Sequence, residues 1–209
     1  MSDQDVAAAP KRRTSMTFFR RVLRVMVVAY IAILVLMTVF ESRLVFPGAY
    51  RTDLEHDASG ATAWTTEYSI GEEDPRALTG HWIERPTAER TVIFFHGNGT
   101  NATRQIPWGY QLSAAWNANV LIAEYRSFTE PDLTPSELNV IEDALAAFDG
   151  LCDSKSLRPE EVIVFGRSLG GGCAAAVAAQ RKIRGLVLDR TFDSAVSVAA
   201  GRFPWVPVR

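Results

Sequence analysis

Histidine and cysteine are scarce in this chain. Its 209 residues hold three histidines, His56, His81 and His96, with none after position 96, and two cysteines, Cys152 and Cys173. The cysteines make no metal or redox spacing and are too few for a disulfide framework. Neither a metal nor a cofactor is expected. Charge of one sign is lacking too: 22 basic residues face 24 acidic ones, for a net charge of −2, so nothing global points to a nucleic acid partner. No internal repeat is present, and outside the N-terminus no low-complexity tract. What remains is ordinary for a folded protein. A hydrophobic content of 47% suffices for one globular domain with a real core plus a short extra segment.

The extra segment is N-terminal. Residues 1–24 are polar and basic, with Lys11, Arg12, Arg13, Arg20, Arg21 and Arg24 against Asp3 and Asp5. Residues 25–40, VMVVAYIAILVLMTVF, carry no charge. As a helix they cover about 24 Å, slightly less than a hydrocarbon core of about 30 Å, and Val22 and Leu23 extend the stretch if Arg24 snorkels. The run is apolar all round, unlike a core helix. No small-residue cleavage site follows it in LMTVFESR, unlike a signal peptide. The expectation is an uncleaved, single-pass signal anchor with its basic flank in the cytoplasm and the following domain extracytoplasmic. Residues 41–60 read as a connector and 61–209 as the domain.

The domain pattern is β-rich, then alternating. Two β-like runs, Trp64–Ile70 and Ala77–Glu84, flank GEEDPR, a hairpin-type loop. Apolar runs at Thr91–Phe95, Asn119–Tyr125, Glu161–Gly166 and Gly185–Arg190 read as strands, the innermost buried on both faces. Helical segments separate them. One carries Ile106, Tyr110, Leu112 and Trp116. In the next, TPSE suggests Thr134 as N-cap, Pro135 at the first helical position and Glu137 closing a capping box. Leu138, Ile141, Leu145 and Phe148 then mark the expected core face, and Gly150 the expected end. Residues 168–180 form a small-residue helix, with Arg181 and Lys182 suited to its C-terminal dipole. A final helix is expected from about Asp193 to Phe203. Such alternation predicts an α/β domain with a mostly parallel sheet flanked by helices, entered through an N-terminal β-meander. Its chemistry belongs at the C-terminal ends of the strands.

Two strand ends carry unusual residues. FFHGNG places His96, Gly97, Asn98 and Gly99 after one strand. GRSLGG places Gly166, Arg167, Ser168, Leu169 and Gly170 after another, in the G-x-S-x-G pattern and between a strand and a helix, as that elbow requires. A tight turn there holds the serine in a strained conformation, and side chains at Gly166 or Gly170 would clash. Gly171, Gly172 and Ala174–Ala176 would let the helix lie close to the sheet. A serine so presented is a candidate nucleophile. The glycine-bearing turn after His96 can aim the backbone N–H of Asn98 at it, and with the N–H of Leu169 this makes an oxyanion hole. One such donor is worth about 3–4 kcal/mol to a tetrahedral transition state. The run is not a P-loop, because no Lys-Ser/Thr pair follows.

In these motifs the chain resembles the α/β-hydrolase superfamily. Within it the chain is similar to the membrane-anchored bud-emergence (Bem) type and the serine aminopeptidase-like group. The residues that carry the likeness are RLVFPGAYR, LTGHWIE, VIFFHGNGTN, EYRSF, PSE, VFGRSLGGG and GLVLDRTF, spread from Arg43 to the C-terminus. The resemblance implies the α/β-hydrolase fold, Ser168 as nucleophile and Asn98 and Leu169 as oxyanion donors. It also implies a small-molecule or lipid-like acyl substrate cleaved at an ester, thioester or amide bond. The loop after Tyr125-Arg126 departs from the family, with Ser127, Phe128 and Thr129 in place of a glycine-containing turn. In the family an acid and a histidine follow on the strands after GLVLD, and this chain stops at Arg209, before both. The expectation is a domain lacking the last strands and a triad without its acid and base.

Local substitutes are few. His96 would begin the oxyanion turn as a structural residue. His81 falls in the meander and His56 in the connector. Asp189 and Asp193 lie at or after the last strand, where an acid without a histidine has little to orient. Arg167 could meet an anionic substrate or brace a loop. A catalytically inactive fragment, a pseudoenzyme completed by another polypeptide or a binding module is therefore the alternative to a membrane-anchored serine hydrolase.

Overall fold

The structure, a computed structural model, describes residues 13–50, 60–68, 76–130, 132–202 and 204–206. His56, the expected hairpin loop and the start of the basic flank lie outside the described residues. The chain divides into two compact units, Met1–Glu41 and Ser42–Arg209. The first is carried by α1, Arg13–Val39. Within it Met16–Val39, 24 residues, is long and apolar enough to cross a membrane. The helix thus begins well before the uncharged run, through Arg20, Arg21 and Arg24, because arginine propagates a helix almost as well as leucine.

A short helix α2, Glu41–Val45, begins at the last residue of the first unit, and the second unit continues with a 3-10 turn, Pro47–Tyr50. A six-stranded sheet follows in the order β1-β2-β4-β3-β5-β6. β1 (Thr62–Tyr68) and β2 (Arg76–Ile83) are antiparallel to each other, and β2 to β4 (Ala118–Ala123). β4, β3 (Arg90–Phe95), β5 (Val162–Arg167) and β6 (Gly185–Asp189) run parallel. Strand alternation sorts the core into two layers. Val92, Phe94, Val120 and Ile122 face the helix α3, Ile106–Trp116, with its Ile106 and Leu112. Ile93, Phe95, Leu121 and Val164 face the other way, onto α4 (Glu137–Lys155) and α5 (Leu169–Gln180). A last helix α6 spans Ala195–Arg202. Helices thus cover both faces of a mostly parallel sheet, entered through an antiparallel pair, as expected.

Three local expectations for α4 are corrected. The N-cap is Ser136, not Thr134: Ser136 is extended and its Oγ accepts from the Asn139 N–H at 3.1 Å, while the Thr134 carbonyl accepts from the Asn139 side chain. The core face is rotated. Leu138 is 64% exposed, whereas Val140, Asp143, Ala144, Ala147, Phe148 and Leu151 are buried. An acid at the centre of the buried stripe hides it from a hydrophobic pattern. Gly150 does not end the helix, which runs on to Lys155 and closes with Ser156 in the left-handed region at φ 52°. Gly150 instead leaves room for β1: a Cβ there would lie 2.4 Å from Thr66 Oγ1.

Candidate active site

A parallel sheet whose connections leave on opposite faces opens a crevice at the strand ends. Here β3 leads to α3 on one face, and its neighbour β5 leads to α5 on the other. The two motif loops therefore meet at this crevice. A Cβ built at Gly97 would lie 3.2 Å from Ser168 Cβ and 3.9 Å from its Oγ, so the turn packs directly against the Ser168 side chain.

Ser168 sits at φ 53°, ψ −116°, between the last residue of β5 and the first of α5. A non-glycine residue there costs about 1–3 kcal/mol, which the surroundings must offset. The Ser168 N–H donates to the Asp189 carbonyl at 3.0 Å, and the Ser168 carbonyl accepts from Gly171 at 3.0 Å. The flanking glycines permit the bend. A Cβ at Gly166 would stand 2.2 Å from the Gly170 carbonyl oxygen, and one at Gly170 would stand 2.1 Å from the Phe95 carbonyl oxygen. Gly171 abuts Thr191, but Gly172 faces open space. Close seating of α5 thus comes from Gly170 and Gly171 and owes nothing to Gly172. Leu169 is the first residue of α5, where a backbone N–H has no intrahelical acceptor. The Asn98 N–H has no acceptor among the described residues.

His96 is fully buried and engaged at both ring nitrogens. Nδ1 lies 2.9 Å from the Gly97 carbonyl and Nε2 lies 2.8 Å from Glu124 Oε1. Both ring nitrogens are thus directed at groups other than Ser168. The Glu124 carboxylate also accepts from the Ala102 N–H at 2.8 Å and the Tyr125 N–H at 3.0 Å. One side chain thereby ties both ends of the 96–102 turn, while the Tyr125 hydroxyl donates to the His96 carbonyl at 3.0 Å. His81 sits in β2 with Nε2 2.9 Å from Thr103 Oγ1, and burial holds its pKa below the ordinary histidine value.

Arg167 Nε donates to Asp189 Oδ2 at 2.7 Å, and its guanidinium lies 4.3 Å from the Trp108 ring centroid. Both residues brace the β5 and β6 ends. Asp193 is exposed and accepts from Ser194 N–H and the Ser197 hydroxyl, at the start of α6. Cys173 is buried in α5 against the Val140 carbonyl, and burial pushes its thiol up to about 12, so it is packing rather than a nucleophile.

Residues 92–209 match the family described as "Alpha/beta hydrolase family". The chain belongs to this family. It is similar to protein bem46 of Schizosaccharomyces pombe, 26% identical over 174 residues, covering 79% of this chain and 58% of that one. The alpha/beta hydrolase domain-containing protein WAV2 of Arabidopsis thaliana is 30% identical over 118 residues, covering 56% of this chain and 38% of WAV2. The crystal structure of an alpha-beta hydrolase from Vibrio vulnificus superposes with a TM-score of 0.60 at 26% identity, over 78% of this chain and 61% of the other. The chain spans less than two thirds of the length of these relatives.

Several residues that shape the site lie outside the two strand-end motifs. Glu124 ends an otherwise apolar strand, and that charge was the available signal. Arg126 and Asp143 form a buried pair beside the same strand end, with Arg126 Nε 2.5 Å from Asp143 Oδ1 and the Arg126 N–H 2.9 Å from Oδ2. The Tyr68 hydroxyl donates to the same carboxylate. Burial pushes the Asp143 carboxyl up, while the Tyr68 and Arg126 donors pull it back. The pair fixes Arg126–Phe128, a 3-10 turn in the loop whose residues depart from the family pattern.

Proposed function

We propose that this protein is a membrane-anchored serine hydrolase that cleaves an ester, thioester or amide bond of a small-molecule or lipid-like acyl substrate. The backbone of Ser168, bent at φ 53° between β5 and α5 with Gly97 against its side chain, is the observation that carries this reading. Ser168 Oγ attacks the acyl carbonyl, and the N–H groups of Asn98 and Leu169 receive the negative charge that develops on its oxygen. The N-terminus of α5 adds its dipole to the same point. The uncharged run 25–40 within α1 serves as a single-pass anchor, with residues 1–24 cytoplasmic and the hydrolase domain extracytoplasmic. The hydrolase domain takes in the second compact unit, Ser42–Arg209.

The attack requires a base to take the Ser168 hydroxyl proton and an acid to orient that base. Both described histidines are hydrogen-bonded away from Ser168. Loss of the histidine from a working triad lowers turnover by about 10⁶-fold, although oxyanion donors and binding retain about 10³–10⁴-fold over water. That observation favours a second reading, a non-catalytic acyl-binding module on the same scaffold. A fluorophosphonate probe separates the two. Labelling of the full chain in detergent that vanishes in Ser168→Ala supports the hydrolase; a chain that stays unlabelled beside that control is not an active serine hydrolase by itself.

A further inference from the structure

The turn that carries Asn98 is held from two sides. Glu124 ties its ends from within the core, as described. The other contact comes from Ser42–Tyr50, the first stretch of the second unit. Phe46 of this stretch is 6% exposed and joins the core cluster with Tyr125. The stretch is braced internally: Phe46 N–H donates to the Ser42 carbonyl at 2.8 Å, Ala49 N–H to the Phe46 carbonyl at 3.2 Å, and the Tyr50 hydroxyl to Ser42 Oγ at 2.8 Å. It meets the turn at two points. The Asn98 Nδ2 donates to the Val45 carbonyl, while the Asn98 Oδ1 is buried without a partner. Gly48 lies so close that a Cβ there would be 2.8 Å from Phe128 Cε1, 3.1 Å from the Gly99 nitrogen and 3.4 Å from the Asn98 carbonyl oxygen.

We infer that Ser42–Tyr50 is the seat of the oxyanion turn, with the Val45 carbonyl and Gly48 as its positioning elements. This rests on the reading of Asn98 as an oxyanion donor. The physical case is direct. A donor stabilises a transition state only if it is held in place before the charge develops. The Gly97–Asn98 peptide bears the donor, and the next peptide, Asn98–Gly99, is the one that touches Gly48. The Asn98 side chain, hooked on Val45, limits rotation between the two. Asn101 Oδ1 accepts from the Arg104 N–H at 2.9 Å and Thr100 Oγ1 from Gln105 Nε2 at 3.0 Å, so the far half of the turn is held as well, and the seat adds its contact at Asn98. A side chain at Gly48 would push on the middle of the turn.

Hydrogen exchange of the full chain in detergent tests the seat without requiring activity. In Gly48→Ala, and more so in Gly48→Val, amides at 97–101 are expected to exchange at least about tenfold faster, while those of β3 and β4 keep their protection. Gly201→Ala, where an added Cβ meets nothing within 4 Å, serves as the neutral control. Unchanged exchange at 97–101, or an equal rise across β3 and β4 in the milder Gly48→Ala, overturns the inference. Fluorophosphonate labelling of Ser168 is followed on the same samples. Labelling slowed in step with the faster exchange is the expected result. Altered exchange with labelling as fast as wild type shows that the turn does not position a donor, and overturns the role assigned here. A wild-type chain that never labels refutes the nucleophile reading, while the exchange data still decide whether the seat holds the turn.

Discussion

Three consecutive glycines open α5, and they should respond to the same substitution in opposite ways. At Gly170 a Cβ would stand 2.1 Å from the Phe95 carbonyl oxygen and 2.7 Å from that of His96. These are backbone atoms at the end of a central strand and cannot swing aside as a side chain can. Relief requires α5 to lift from β3 by roughly 1 Å, which undoes packing along its buried face, Cys173, Ala174 and Val177. Overpacking of a core typically costs about 1–3 kcal/mol, and the rigid obstacle puts Gly170→Ala at about 3 kcal/mol or more. Two residues on, a Cβ at Gly172 meets nothing within 4 Å. There alanine only restricts the unfolded chain and favours the helix, so Gly172→Ala is expected to stabilise by about 0.5–1 kcal/mol. Urea unfolding of the full chain in detergent, followed by tryptophan fluorescence, measures both. A midpoint shift of opposite sign at constant slope is the expected outcome. Equal effects at the two positions, or a stable Gly170→Ala, would refute the claim that α5 is seated by the glycine at 170.

Two further outcomes follow from buried charge. Asp143→Ala leaves the Arg126 guanidinium, 2% exposed, without its counter-charge, so a loss of about 3–5 kcal/mol is expected in the same urea assay. Tyr68→Phe removes one hydrogen bond and costs about 1 kcal/mol; adding Arg126→Met to Asp143→Ala should cost less than the sum of the single changes. His81 titrates below its ordinary value because it is buried, so on acidification the unfolded chain takes up that proton first. Stability therefore falls as pH drops through about 6.5 and the contribution levels off below the folded pKa. Urea midpoints between about pH 5 and 8 should show this slope in the wild type and a flatter one in His81→Gln. An unchanged slope would assign the pH dependence to other groups.

The motif residues were legible in the sequence because backbone geometry restricts residue type locally. A turn that forces positive φ at Ser168 and crowds both neighbours leaves glycine as the residue that fits at 166 and 170, and that shows in the letters. The apolar runs likewise announced β3, β4 and β5, since strands covered on both faces tolerate little else. The α4 face was misread because its buried stripe contains Asp143, whose burial depends on Arg126 and Tyr68, distant in sequence. No local pattern reveals a partner that folding supplies. The same holds for Gly150 and Gly172. As letters both are helix-weakening glycines, yet one faces the Thr66 side chain and the other faces solvent.

The sequence by itself determined the class of fold, the strand-end location of the two motif loops and the presence of an apolar N-terminal segment, because each depends on short-range periodicity and steric rules. Tertiary structure alone decided that Gly97 meets Ser168, that His96 is spent on Glu124, and that Ser42–Tyr50, read as a connector, packs on the Asn98 turn. Those facts arise where segments far apart in the chain share one small volume. There packing and hydrogen-bond saturation choose the partners, and neither is written in any single stretch of the chain.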